Sequence, residues 1–130
     1  MLGLKIQVFF RLYYIDHLLK KRGLRETCEL MKEKKLNSKS QKNSENIESL
    51  YLKCTQIDRT CSRHFLKKRA LCLHKSLVGY QLLCKNEPSI YLCVGVAKKD
   101  FMAHAWLEKD GKVINDTQDV KDTHNILYTI

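Results

Sequence analysis

A cysteine, a histidine and an aspartate in this sequence have types and positions that suit nucleophilic acyl transfer. Cys72 lies in the segment 69-RALCLHKSLVGYQLL-83, where a loop is predicted to become a helix. A thiol there gains from the partial positive charge of the helix N-terminus, which favours the nucleophilic thiolate. His104 and Asp116 lie twelve residues apart in the segment 103-AHAWLEKDGKVIND-116. A thiol, an imidazole and an orienting carboxylate are the parts of a thiol acyl-transfer site.

The geometry of the His104–Asp116 pair depends on how the chain turns at 110-DG-111. A two-residue type I′ turn would pair Lys109 with Lys112 in an antiparallel hairpin. Successive side chains on a strand point to opposite faces of the sheet. In this register we therefore expect Asp116 to project from the face opposite His104, so that the two side chains cannot meet.

The alternative is a three-residue turn over residues 109–111, with Gly111 left-handed at a bulge. In this second register His104 lies directly opposite Asp116. Directly opposed side chains have Cβ atoms roughly 4.5–5.5 Å apart, close enough for a carboxylate to accept a ring N–H. Both turns fit the local sequence, and local rules do not choose between them.

Helical periodicity dominates the first part of the chain. Apolar residues are dense over residues 4–19, and Gly23 marks a helix stop, after which residues 24–36 form a second short helix. Residues 37–44 are small and polar and are predicted to be an exposed linker. A third helix then carries an apolar stripe at three- and four-residue spacing. The stripe is formed by Ile47, Leu50, Tyr51, Cys54, Ile57, Cys61 and Phe65.

Strand signals replace helical ones after the next helix, which is predicted to begin close to Cys72. Pro88, the only proline, marks the break that follows this helix. The alternation in 89-SIYLCVGVA-97 predicts a central strand. Residues 103–108 and 112–116 are predicted to be the two arms of a hairpin. Helices followed by an antiparallel sheet indicate an α+β fold, with the cysteine-bearing helix packed on a small sheet.

Length, charge and composition limit the class of protein. The 130 residues are predicted to form one domain, with N-terminal helices over 1–36 and a catalytic core over 45–130. The net charge of +10 favours contact with something acidic. The apolar segment over residues 1–19 is interrupted by Gln7 and Arg11, is too short to span a membrane and lacks a signal cleavage site. We therefore expect a cytoplasmic protein with free thiols.

Four short motifs follow one another from the candidate cysteine to the candidate aspartate. They are 72-CLHKSL-77, 95-GVAKKDF-101, 103-AHAW-106, and Asp116 after an Asp-Gly turn. In this order and spacing the sequence resembles the lasso peptide biosynthesis B proteins, which are transglutaminase-like cysteine peptidases. The resemblance is strong over residues 65–117 and looser over the N-terminal helices. It departs at Lys75, where the family has an arginine with bidentate geometry, and at 85-KNEPS-89, which replaces a glycine turn.

The resemblance implies a papain- or transglutaminase-like core that removes the leader from a ribosomally made precursor peptide. It implies that Cys72 is the nucleophile, His104 the general base and acid, and Asp116 the orienting carboxylate. Trp106 is predicted either to pack beside the histidine and limit water access or to be an ordinary core residue. Nothing in the sequence resembles a nucleotide site, so the ATP-dependent ring closure that follows cleavage in the family is not expected of this chain. No cofactor is expected.

The resemblance also implies partners. Some members join the peptidase to an N-terminal winged domain that recognises the leader, but residues 1–64 are predicted to be helical and lack the β pattern of such a domain. The chain therefore resembles the split, stand-alone peptidase, which relies on a separate leader-recognition protein. The precursor peptide and the lasso cyclase are the other implied partners, and neither nucleic acid nor a membrane is expected.

Three other functions fit parts of the sequence. A transglutaminase-like acyltransferase would use the same catalytic residues with an amine in place of water as acceptor. A nucleic-acid-binding protein would use the positive charge, although the basic residues are scattered without aromatic interleaving. A zinc-binding module would take its ligands from Cys54, Cys61, His64, Cys72 and His74, although no close CxxC pair is present. The four histidines other than His104 are predicted to have surface or satisfied core roles.

Overall fold

Helices come first along the chain and strands follow. The computed structural model describes residues 2–37, 46–63, 72–85, 87 and 89–130. The elements are α1 (Leu2–Asn37), α2 (Ile47–Arg63), α3 (Cys72–Leu83), β1 (Ile90–Ala97), β2 (Ala103–Lys109), β3 (Lys112–Val113), α4 (Val120–Thr123) and β4 (His124–Thr129). This order confirms the predicted α+β class. The linker predicted at 37–44, apart from Asn37, and the break predicted at Pro88 lie outside the described residues.

α1 folds back on itself at Gly23, where the sequence predicts a helix stop. Gly23 has φ 80° and ψ 174°, which are not helical values, and a positive φ favours glycine because it has no Cβ. In a straight helix, Tyr14 and Lys34 would be roughly 30 Å apart. Instead, Lys34 Nζ donates a hydrogen bond to the Tyr14 hydroxyl at 3.1 Å. The two halves of α1 therefore lie side by side.

α2 buries the apolar stripe that its periodicity predicts. Leu50, Cys54, Ile57 and Cys61 are all buried, and they contribute to the main hydrophobic core. Tyr51, which the sequence analysis placed in the same stripe, is instead 37% exposed. It lies one position beyond Leu50, and a helix turns about 100° per residue, so only one of the two can face the core fully.

The sheet has four antiparallel strands in the order β3-β2-β1-β4. β1 is therefore an inner strand, as its alternation predicts. β4 was not predicted, because its exposed side chains do not alternate with buried ones. Leu92 and Val94 of β1 and Ala105 and Leu107 of β2 share one core with the three long helices. Trp106 belongs to a smaller cluster that also contains Cys93, Val113 and Val120.

α3 lies between the other long helices and the sheet. It contacts α1 and α2 as well as β1 and β2, and most of its residues are buried, not one face alone. At Gly79, a Cβ atom would lie 2.9 Å from Leu107 Cδ1. The glycine therefore lets β2 approach the helix closely. No described helix is long and apolar enough to cross a bilayer.

Candidate active site

The structure brings Cys72, His104 and Asp116 into one chain of hydrogen bonds. Nδ1 of His104 lies 2.8 Å from Sγ of Cys72, and Nε2 of His104 lies 2.6 Å from Oδ2 of Asp116. The imidazole thus contacts the thiol through one ring nitrogen and the carboxylate through the other. The side chains of His104 and Asp116 are 22% and 30% exposed, and Cys72 is partly exposed. A substrate can therefore reach all three residues from solvent.

Cys72 is the first residue of α3. The first N–H groups of a helix have no acceptor within the helix and carry partial positive charge. The backbone N–H of Cys72 is one of these groups, and it belongs to the same residue as the reactive sulfur. A negative charge that forms next to this sulfur would therefore meet a donor already in place.

The hairpin turn has the register that we expected to separate His104 from Asp116. Lys109 pairs with Lys112 across a two-residue turn, and Asp110 and Gly111 both have positive φ, 52° and 78°. These are the signs of a type I′ turn. The expectation that this turn leaves Asp116 on the opposite face was wrong, since Asp116 reaches His104 in this register.

The reason is that the second arm of the hairpin is shorter than predicted. β3 comprises only Lys112–Val113, whereas the arm was predicted to extend over residues 112–116. Ile114 N still donates to Leu107 O at 2.9 Å, but Leu107 N donates to the side-chain Oδ1 of Asn115 at 2.8 Å. The side chain of Asn115 thus takes a position that a strand carbonyl would occupy. Beyond it, strand alternation no longer decides where Asp116 points.

Asn115 also connects the hairpin to the cysteine-bearing helix. Its Nδ2 donates to the Ser76 hydroxyl at 2.9 Å, and that hydroxyl donates to the carbonyl of Ala105 at 2.9 Å. Ser76 lies one helical turn after Cys72, Ala105 follows His104, and Asn115 precedes Asp116. One hydrogen-bond network therefore ties together the three elements that carry the candidate residues.

Three further hydrogen bonds fix the segment after β3. The amide of Gln118 pairs with both backbone groups of Val113, at 3.1 Å to the N and 2.7 Å to the carbonyl. The second carboxylate oxygen of Asp116, Oδ1, accepts a hydrogen bond from Thr117 N at 2.7 Å. The orientation of the Asp116 carboxylate is therefore set by the backbone as well as by His104.

Two aromatic side chains, which also contact each other, lie beside the imidazole of His104. The ring of His124 lies 5.1 Å away between centroids, with 33° between the planes, and the ring of Trp106 lies 6.0 Å away. Trp106 is fully buried, and its Nε1 donates to Glu108 at 2.7 Å. Sequence reasoning missed His124 because the residue lies on β4, the strand that was not predicted. No local signal marks it.

Gly95 makes room for these rings in the middle of the sheet. It pairs with His104 across β1 and β2. A Cβ atom there would lie 2.9 Å from Asn125 O and 3.0 Å from Trp106 Cη2, so no larger residue fits without a shift. The glycine in the motif 95-GVAKKDF-101 thus has a steric role at the site.

Comparison with known protein families agrees with this geometry. Residues 16–129 match the family model described as Transglutaminase-like superfamily. The chain belongs to the transglutaminase-like superfamily. No curated protein and no solved structure shows a significant match. Members of this superfamily are typically Cys-His enzymes, and the domain implies a cysteine-dependent peptidase or acyltransferase activity.

A cavity of about 260 Å³ in this transglutaminase-like domain opens beside Cys72 and Asp116. Its walls come from α2, α3, β2 and the segment that contains Asn115. Lys75, at the position where the lasso family has an arginine, lies in this wall and pairs with Asp58 at 2.7 Å. The cavity can therefore accommodate part of a substrate next to the sulfur.

Cys72 differs from the other cysteines of the transglutaminase-like domain in its exposure. The other five are buried. Burial raises the pKa of the Cys61 thiol to about 11 and that of Cys54, Cys84 and Cys93 to about 12. It also raises the pKa of Cys28. These five thiols stay protonated near neutral pH, which leaves Cys72 as the accessible thiol.

The residues of the zinc hypothesis do not converge on one point in the described part of the chain. Cys54 and Cys61 lie in the buried stripe of α2, and Nε2 of His74 contacts Asp16 at 3.1 Å. Among the residues that the structure describes, no group of three or more His, Cys, Asp or Glu side chains is placed to hold a metal ion. His64 lies outside those residues.

Proposed function

We propose that this protein is a cytoplasmic cysteine peptidase that removes the leader from a ribosomally synthesised lasso precursor peptide, together with a separate leader-recognition protein. The coarser class, a cysteine-dependent peptidase or acyltransferase, follows from the superfamily. The choice of peptidase and of substrate is supported by the motifs from Cys72 to Asp116 and by their resemblance to the lasso B proteins.

One observation carries the proposal: a single imidazole lies within hydrogen-bonding distance of a thiol and a carboxylate. This arrangement allows His104 to take the proton of Cys72 at Nδ1, while Asp116 holds the ring in the tautomer with hydrogen on Nε2 and stabilises the imidazolium. An exposed Cys-His pair without the carboxylate would lack that control of the tautomer.

The proposed reaction has two steps. In the first, Sγ of Cys72 attacks the carbonyl carbon at the leader–core junction, and His104 Nδ1 gives its proton to the departing core amine. The leader is then bound to the enzyme as a thioester. In the second step, His104 takes a proton from water, the hydroxyl attacks the thioester, and the thiol leaves with the proton. The backbone N–H of Cys72 can donate to the oxyanion in both steps.

The test is a cleavage assay followed by mass spectrometry. The protein is incubated with a synthetic lasso precursor peptide, with and without the leader-recognition protein. We expect two products whose masses add up to the precursor plus one water. Cys72→Ala should remove this cleavage, with a loss on the order of 10⁶ in rate for a missing nucleophile.

A matched histidine pair separates catalysis from general damage. His104→Ala should be inactive, whereas His17→Ala should retain the wild-type rate because His17 is exposed on α1. Cleavage by Cys72→Ala would refute the assignment of the nucleophile. A product in which the leader is joined to an added amine, with little hydrolysis, would identify an acyltransferase instead.

A further inference from the structure

A line of exposed apolar side chains follows one face of the first half of α1. Ile6, Phe10 and Tyr14 succeed one another at four-residue intervals and are 47%, 66% and 39% exposed. Residues four apart lie next to each other on a helix surface. The core residues Leu12 and Ile15 of the same segment are fully buried, so the helix already has a separate core face. We call the line of Ile6, Phe10 and Tyr14 the α1 ridge.

The α1 ridge ends in a cavity with basic walls. Tyr14, its last residue, lines a cavity of about 300 Å³ between the two halves of α1 and the end of α3. Four basic residues, Arg11, Lys34, Lys35 and Lys85, line the same cavity. The described residues that form its walls include no aspartate or glutamate. We call it the basic cavity.

Two of the basic side chains, Arg11 and Lys34, contact neutral groups within the described part of the chain. Arg11 Nη1 donates to Gln81 Oε1 at 3.1 Å, and Lys34 Nζ donates to the hydroxyl of Tyr14 at 3.1 Å. Both acceptors are neutral. Burial lowers the pKa of Lys35, against an opposing effect of Cys84. Like charges held together in a partly desolvated space repel each other, so an anion that enters the cavity is favoured.

We propose that the α1 ridge and the basic cavity form one docking surface for an acidic segment of a partner protein. The segment would lay apolar side chains on the α1 ridge and place a carboxylate in the basic cavity. Exposed apolar side chains with polar residues at their rim are typical of protein interaction sites. The net charge of +10 steers an acidic partner toward this chain.

The chemistry of the surface favours a protein over a nucleic acid. The α1 ridge contains the aliphatic Ile6 as well as aromatic rings, and Met31 and Cys84 contribute apolar walls to the basic cavity. A nucleic-acid surface would instead carry its cations along an extended exposed track that follows the phosphates.

The docking surface is also separate from the candidate active site. Gln81, in its wall, lies nine residues after Cys72 on α3, which is about 14 Å along the helix axis. The inference therefore does not depend on the proposed peptidase activity.

The test uses two synthetic peptides with a fluorescent label. One repeats leucine and glutamate, and the other has glutamine in place of every glutamate. Anisotropy titrations at low and physiological salt should show the glutamate peptide binding about tenfold more tightly than the glutamine peptide. The double variant Arg11→Gln/Lys34→Gln should weaken the glutamate peptide by about tenfold, and Phe10→Ser should weaken both peptides.

The matched control is the double variant Lys98→Gln/Lys99→Gln, which removes the same charge from exposed residues between β1 and β2. It should bind within about twofold of the wild type, and thermal melting should show that all variants are folded. Equal weakening by both double variants would reduce the effect to net charge and overturn the proposal. So would the absence of binding, or an oligonucleotide that depends on Arg11 and Lys34 more than the glutamate peptide does.

Discussion

His104 is the residue on which the geometry of the candidate site depends. Its two ring nitrogens contact the Cys72 thiol and the Asp116 carboxylate, and its ring belongs to one cluster with His124 and Trp106, which also contact each other. A ring held in this way has little freedom to rotate, so its nitrogens remain aligned with both partners.

Replacing Asp116 by asparagine should reduce turnover while leaving the fold intact. A neutral amide can donate as well as accept, so it permits the imidazole tautomer with hydrogen on Nδ1, which cannot take the proton of Cys72. Where the analogy with serine triads holds, the loss in kcat is ~10⁴. The assay is precursor cleavage, and Asp122→Asn, at an exposed position, is the matched control. Near-normal turnover of Asp116→Asn would show that Asp116 does not set the tautomer of His104 during catalysis.

Alkylation should distinguish Cys72 from the other thiols. At about pH 7.5, iodoacetamide reacts with thiolates, and the buried cysteines have raised pKa values, to about 12 for Cys54 and Cys84. We therefore expect the peptide that contains Cys72 to be labelled first, as measured by mass spectrometry after a short pulse. In denaturant all six cysteines should react alike. Fast labelling of Cys54 in the folded protein would contradict the structure.

Secondary-structure elements differ in how far the sequence predicts them. α2 and β1 were predicted with nearly correct bounds, because each carries a hydrophobic pattern that repeats along its length. In α2 the pattern is the stripe of Leu50, Cys54 and Ile57, and in β1 it is the alternation of apolar residues. β4 was missed because an exposed edge strand carries no such alternation. The approach of Asp116 to His104 was not predictable from the turn, because the Asn115 side chain takes a ladder position that turn rules assign to backbone.

Asn115→Ala tests whether this side chain positions the hairpin. The variant leaves the buried N–H of Leu107 without its acceptor, which costs about 1–3 kcal/mol of unfolding free energy. It also frees the segment that carries Asp116, so kcat should fall more than KM changes. Asn115→Asp, which keeps the acceptor for Leu107 but loses the donor to Ser76, should have an intermediate effect. Equal kinetics of Asn115→Ala and the wild type would show that Asn115 does not position Asp116 for catalysis.

Gly95→Ala should disturb the rings around His104. The new methyl group would lie 2.9 Å from Asn125 O and 3.0 Å from Trp106 Cη2. Overpacking of this kind costs about 1–3 kcal/mol, and we expect a lower melting temperature together with reduced cleavage. Gly3→Ala is the control, since a methyl group at that position would meet nothing within 4 Å. A wild-type melting temperature for Gly95→Ala would show that the sheet can adjust.

Stability of the whole molecule should depend on two acidic side chains that connect distant elements. Burial by itself would raise the pKa of Glu108, but hydrogen bonds from Trp106 and Cys93 and the ammonium of Lys121 outweigh it and lower the pKa. The pKa of Asp16 is also lowered, because hydrogen bonds from Lys20 and His74 outweigh burial. In both cases the folded state favours the carboxylate.

Because the pKa values of both carboxyl groups are lowered in the folded state, the protein should lose stability in acid. The stabilisation by Glu108 is complete above its ordinary pKa of 4.5 and is lost as the pH falls through the lower folded value. Thermal melts between about pH 7 and pH 3 should therefore show Glu108→Gln less stable than the wild type at neutral pH, with the difference shrinking in acid. Glu33→Gln, at an exposed position, should follow the wild type. A difference that grows in acid would contradict the assignment.

The two-residue turn at Asp110 and Gly111 limits where this chain can gain or lose residues. An insertion of a single amino acid between His104 and Asn115 would shift every later side chain by one step relative to β2. The side chain of Asn115 would then no longer lie opposite the backbone N–H of Leu107. The carboxylate of Asp116 would move away from the imidazole of His104. Length variation in homologues that keep this site should therefore be confined to positions outside 104–116, whereas substitutions inside that interval are possible where they preserve the buried packing of Trp106 and Leu107.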